Sequence, residues 1–212
     1  MEYPDLSPYT YYAFPLPMVN VGWLGTARGI PAGPPPDATA VQHLRAASRR
    51  LSQVMLGVHH CDWCPRGAAY QGNGEYHYYA PDGTVYAAPE MLLHYVEAHG
   101  YHPPQVFLDC LPALDDLPWD GRADHLATLL TDDTADLEDR ASVIIDLASW
   151  KDPRTLAALL YAAHHDGLAG CAGGDIGMAL AALQPCAFAP DLHAEPLPEW
   201  VRWGFERALP QP

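Results

Sequence analysis

The chain has 212 residues, 49% hydrophobic and 17% charged, with 22 prolines and 17 glycines. That is enough apolar material for one domain or two small ones, and too little polarity for a wholly disordered chain. Eleven basic residues against 26 acidic ones give a formal net charge of −15, which repels phosphate backbones and excludes nucleic acid as the expected partner.

Residues 1–37 hold eight prolines, and Tyr9, Tyr11, Tyr12 and Phe14 crowd into one short run. Proline blocks regular pairing and aromatic rings need burial, so the spacing predicts an extended arm with one short strand near 18–24. From Pro36 to Leu56, Asp37 is a helix cap, and Val41, Leu44, Leu51, Val54 and Met55 fall near helical spacing, with Gly57 as the stop. An amphipathic helix is expected there, so residues 1–57 read as arm plus helix. Residues 58–104 change character, with Cys, His, Tyr and Gly replacing Ala and Leu. Glu75–Tyr79 and Thr84–Ala87 are β-prone runs around Ala80-Pro81-Asp82-Gly83, which predicts a hairpin. Pro89 suits the first position of a helix running from Glu90 to His99, and Gly100 suits its left-handed stop.

Residues 105–212 are rich in Ala and Leu, with Asp between them. Helices are expected over 122–130, 136–150, 153–165, 176–183 and 199–209, with Gly170–Gly174 as a loop. From Gln105 to Asp152 there are twelve acidic and three basic residues, net −9, so the acidity is local. No apolar run approaches the roughly 18 residues of a membrane span. Pro4, Pro8, Pro15 and Pro17 interrupt the first twenty residues, which also lack a basic segment, so no secretory signal is expected and the cytoplasm is the expected location.

Five cysteines are an odd count for a disulfide framework, so reduced thiols are the reading. Cys61-Asp62-Trp63-Cys64 is followed by twenty-nine residues and then by His94 and His99 on the expected helix. Two thiolates in a tight knuckle and two imidazoles from a helix are the four ligands of a closed tetrahedral zinc site, so Cys61, Cys64, His94 and His99 are the candidate metal ligands and Zn²⁺ the candidate ion. Histidines five apart on an ideal helix lie about 140° apart, so His99 reaches a shared metal only through a distorted last turn. His59, His60, His77 and His102 are the alternative fourth ligands. A hairpin and a three-turn helix bury little apolar area alone, and the metal is expected to stand in for a core.

In ligand identity and element order, residues 58–102 resemble the ββα zinc finger of the Cys₂His₂ class. The gap between the pairs is more than twice the roughly dozen residues of DNA-reading fingers. The helix also offers Glu90, Met91, Tyr95 and Glu97 where a reader presents Arg, Asn or Gln. The resemblance therefore implies the ligands and not DNA reading. With Asn20–Leu24 before the knuckle and Val85–Pro89 leading into His94–Tyr101, the wider pattern resembles a family of uncharacterised actinobacterial and myxobacterial proteins, which implies no activity. Arg140–Leu147 followed by Asp152–Leu156 resembles HEAT-like repeats across residues 123–184, about one and a half units where a solenoid needs roughly three.

Three readings of the knuckle compete. A thioredoxin-like redox pair needs a helix directly after it, and Pro65, Arg66 and Gly67 end any such helix. A hydrolase or nuclease needs an open metal at Cys61, Cys64 and His94, with Glu75 or His77 as base, and neither the deaminase nor the ββα-metal nuclease signature is present. His164-His165-Asp166 reads as a helix terminus before it reads as a second metal or catalytic pair, and Cys171 as a nucleophile lacks an identifiable partner. The chain is therefore expected to be an α+β protein. It combines a zinc-held ββα module at 58–104 with an acidic, HEAT-like helical bundle at 105–212. The expected role is non-catalytic protein binding, as an immunity or adaptor protein that covers a basic partner surface.

Overall fold

The structure is a computed structural model that describes residues 2–31, 33–34, 36–65 and 70–209. It is mixed α+β and divides into two units, residues 1–115 and 116–212.

The first unit is built on a four-stranded sheet in which β1 (Val19–Asn20), β4 (Val85–Pro89), β3 (Gln71–Tyr79) and β2 (Gln53–His60) lie side by side in that order. Strand β1 (Val19–Asn20) runs parallel to β4 (Val85–Pro89), and the other pairs are antiparallel. The hairpin forms as the turn residues require. Tyr79 faces Val85, Gly83 takes φ 97°, and its N–H donates to Ala80 O at 3.1 Å. The arm folds back along β1, with Pro8 bridging Val19. Buried Asn20 pins it there, its Nδ2 donating to Ser7 O, Ser7 Oγ and Pro8 O.

Two expectations for this unit fail on the same cause. The helix read over 36–56 stops early: α1 is Ala38–Ala47, capped by Asp37, and Gln53–His60 is strand β2. Val54, Leu56 and Val58 also alternate with period two, and the free edge of β3 (Gln71–Tyr79) offers a ladder that local propensity cannot weigh. Gly57 therefore lies inside a strand and stops nothing. Likewise Pro89 ends β4 opposite Glu75, and helix α2 begins only at Leu92, running to His99. Helix α3 (Gln105–Cys110) and a 3₁₀ turn at Leu111–Ala113 close the unit.

The metal segment does not lack a core. Val21, Leu44, Tyr78, Tyr86, Leu92, Tyr95 and Phe107 pack in one buried cluster, with the Phe107 ring edge-on to Tyr78 and Tyr86 at 5.1 and 5.2 Å. The arm, α1 and β2 contribute to the same sheet and core as residues 58–104.

The second unit is helical: α4 (Gly121–Thr131), α5 (Leu137–Ser142), α6 (Ile144–Leu147), α7 (Pro153–His164), α8 (Asp166–Leu183) and α9 (Glu199–Ala208). The helix read over 136–150 is two short pieces broken at Val143, where β-branched residues crowd the turn. Gly170–Gly174, read as a loop, lies within α8, which kinks at Ala172 (φ −132°, ψ 22°). Its glycines serve packing. A Cβ on Gly177 would sit 2.1 Å from Val201 O, and one on Gly204 2.1 Å from Gly174 O, so α8 and α9 touch backbone to backbone.

Candidate metal centre

Strand β2 delivers the chain to Cys61, whose N–H donates to Tyr70 O at 2.8 Å and so closes the knuckle loop. Cys61 is buried and Cys64 half-buried. Burial pushes the Cys61 thiol up, opposed by backbone N–H groups of Trp63 and Cys64 that point at its sulfur. From the other side α2 presents His94 and His99.

The four side chains converge. His99 Nε2 lies 3.1 Å from Cys61 Sγ and 3.5 Å from Cys64 Sγ, His94 Nε2 lies 3.3 Å from Cys64 Sγ, and the two Nε2 atoms are 3.1 Å apart. All four donor atoms fall within 4.8 Å of one another. Tetrahedral bonds of about 2.3 Å to sulfur and 2.0–2.1 Å to nitrogen put sulfur–nitrogen edges near 3.5 Å and the nitrogen edge near 3.3 Å. These four edges lie within a few tenths of an ångström of those values, and all six are no longer than 4.8 Å, so the four donors are gathered closely enough to share one cation. Burial lowers the His94 pKa, and a charged His99 would lower it further.

The distortion that His99 requires is present. Gly100, left-handed at φ 67°, donates its N–H to Tyr95 O, five residues back, and Tyr101 N–H donates to the same carbonyl at 3.0 Å. A turn closed over five residues is wider than an α turn and swings residues five apart toward one side. Asp5 anchors that end by accepting from Tyr101 Oη at 2.8 Å on each oxygen, and from Gly22 N–H at 2.8 Å. Tyr70 stacks on His94 at 4.4 Å and 6°, while Trp63 lies edge-on to Tyr95 at 5.4 Å. The sequence reading missed Asp5, Tyr70 and Trp63 as supports, because they meet the site only through the fold.

Residues 1–112 match the family described as Domain of unknown function (DUF7919), which is more than half of the chain. The chain belongs to the DUF7919 family. No curated protein and no solved structure matches it. The DUF7919 region holds the whole sheet, α2 and all four convergent donors.

Among the described residues His59, His60, His77 and His102 stand outside the donor group. His77 Nε2 lies 3.0 Å from Glu75 Oε1, and Tyr9 Oη sits 2.8 and 2.7 Å from the two Glu75 oxygens, so both candidate bases are engaged in a buried network. His165 caps α8, its Nδ1 accepting from Leu168 N–H, and its Nε2 lies 3.4 Å from both Asp133 and Arg140. That is a structural role for the histidine pair's second member. Cys171 is exposed on α8, and all five cysteines are unpaired. Arg66 and Gly67, read as ending any helix after the knuckle, lie outside the described residues. No described helix is long and apolar enough to cross a membrane.

Proposed function

We propose that the chain is a non-catalytic protein-binding protein whose DUF7919 unit is held by a structural Zn²⁺ on Cys61, Cys64, His94 and His99. The observation that carries the reading is the convergence of two sulfurs and two imidazole nitrogens within 4.8 Å, since four such ligands on one zinc would leave no position for a reacting water. The rival, a metal-dependent hydrolase with an open site at Cys61, Cys64 and His94, is less favoured, since His99 Nε2 stands 3.1 Å from Cys61 Sγ and both Glu75 and His77 are already engaged. The partner is a protein with a basic surface. In support, Asp132, Asp133, Asp136, Glu138 and Asp139 are all exposed around the start of α5, while Arg140, the one cation of that stretch, is buried and paired with Asp133 at 3.0 Å. A bacterial adaptor or immunity role in the cytoplasm, on a HEAT-like helical scaffold, fits this acidity.

Metal analysis with X-ray absorption on the purified chain tests the first half. The expected result is one tightly held zinc per chain with two sulfur and two nitrogen ligands, and an exchangeable oxygen ligand overturns it. For the second half, affinity capture is run at about 50 and 500 mM salt, on either side of physiological screening. The captured basic protein is expected to be lost at high salt and on neutralising Asp132, Asp133, Asp136, Glu138 and Asp139 together. A partner indifferent to both overturns the reading.

A further inference from the structure

A cleft of about 260 Å³ opens in the N-terminal unit, lined among others by Tyr11, Trp23, Tyr95, Met91, Asn73 and Glu75 and by none of the four donors. Its position follows from β2. Val54 pairs with Gly74 and His59 with Gly72, so residues 55–58 face Asn73 alone and the strand bows away from β3. Asn73 holds the bow open, its Nδ2 donating to Met55 O at 3.0 Å and its N–H to Glu90 Oε2 at 2.8 Å. Two walls meet at a steep angle: the Tyr11 and Trp23 rings are 5.4 Å apart at 64°. The Trp23 indole N–H donates to Ala87 O at 3.0 Å, which fixes the ring, and Tyr3 and Tyr9 pack around its other sides at 6.0 and 6.2 Å.

The Glu75 carboxylate lies beneath the cleft, buried and held by Tyr9 and His77; Glu90 stands behind Asn73; and the lining includes the His59 imidazole but, among the described residues, no lysine or arginine. Electron-rich ring faces above a buried carboxylate disfavour anions. They favour a cation whose charge is spread over alkyl groups, which loses little hydration on entering an aromatic corner. The volume, just below the roughly 300–1,000 Å³ of pockets for drug-sized ligands, suits a small head group. We propose that this cleft binds an alkylated ammonium group, with Tyr11 and Trp23 as its aromatic walls and the buried Glu75 carboxylate beneath them supplying negative potential without touching the ligand. The ammonium belongs either to a free small molecule or to a methylated lysine side chain.

Calorimetric titration of the metal-loaded full chain tests this, with choline and a trimethyllysine peptide as cations, and 3,3-dimethylbutan-1-ol as the neutral isostere of choline. At least one cation is expected to bind saturably and about tenfold or more tighter than the alcohol. Tighter binding of choline assigns a free ammonium compound, and tighter binding of the peptide assigns a side chain. Tyr11→Ala, at a half-exposed ring, is expected to weaken the better cation about tenfold with unchanged zinc content and a melting temperature lowered only by the loss of one aromatic pair. Glu75→Gln is expected to weaken it as well, and if that variant does not fold, Tyr11→Ala decides. Equal affinity for the alcohol, binding of neither cation, or a Tyr11→Ala variant that binds as before overturns the proposal. The cleft shares no residue with the acidic stretch 132–139, so this outcome is independent of the protein-binding reading.

Discussion

The two units differ in the device that brings their distant elements closest. In residues 1–115 polar side chains reach across the sequence to one another: Asp5 to Tyr101, Tyr9 to Glu75, Cys61 to His99. In residues 116–212 polar links such as Tyr161 to Asp133 are joined by a second device, absent side chains, with Gly174, Gly177 and Gly204 letting α8 and α9 close to backbone contact. A sheet with a two-residue strand and a bowed edge has few ladder bonds to spare, so convergent donors must fix the knuckle and α2. Helices satisfy their own backbones and need only a close fit.

The sharpest way to break this comparison is to remove the convergent donors. Cys61→Ser with Cys64→Ser is expected to destabilise the first unit by more than about 4–5 kcal/mol, the range that loss of a bound metal reaches. Because that unit also has its aromatic core, the loss is expected to begin in residues 53–65 and 92–101 and to spread from there. Hydrogen exchange read by mass spectrometry checks both points. Protection should fall in those peptides while peptides from 121–208 stay unchanged, and equal loss in both units would dissolve the distinction.

The complementary break is Gly177→Leu. Its Cβ would meet Val201 O at 2.1 Å and Phe205 N at 2.4 Å, both backbone atoms that cannot rotate away, so α9 must lift off α8. Overpacking of this kind costs typically 1–3 kcal/mol, and about 3 kcal/mol is expected here. Urea unfolding should show the loss in the helical signal, with zinc content unaltered.

How much of this was legible in the sequence depends on the range over which each signal acts. The hairpin was readable because Pro81 and Gly83 set its turn locally, and the donor set because Cys61 and Cys64, then His94 and His99, lie close in sequence within each pair. Strand β2 was not, since Leu51, Val54 and Met55 satisfy a helical pattern until β3 is there to pair with. The glycines of α8 were read as punctuation because their reason is α9, some thirty residues further on. The cleft was invisible, as its walls come from the arm, β2, β3 and α2 at once.

The smallest effect probes a single cap in the helical unit. Asp120 Oδ1 accepts the N–H groups of Arg122 and Ala123 at the start of α4, and its Oδ2 meets Arg122 Nη2 at 2.6 Å. Burial raises the pKa of this carboxyl, but the hydrogen bonds from the Arg122 side chain and the two amides outweigh it and hold the group below the usual carboxylate range. A pKa depressed in the folded state means that the ionised form stabilises the fold. That contribution is complete above the unfolded pKa near 4 and is lost as pH falls through the lower folded value. Asp120→Ala is therefore expected to cost about 1 kcal/mol at pH 7, the ordinary worth of such a cap. The gap between the variant and the parent should narrow only below about pH 4. Urea unfolding across pH 2.5–7 measures that gap; one that closed already near neutrality would mean that a group other than Asp120 supplies the charge at this helix start.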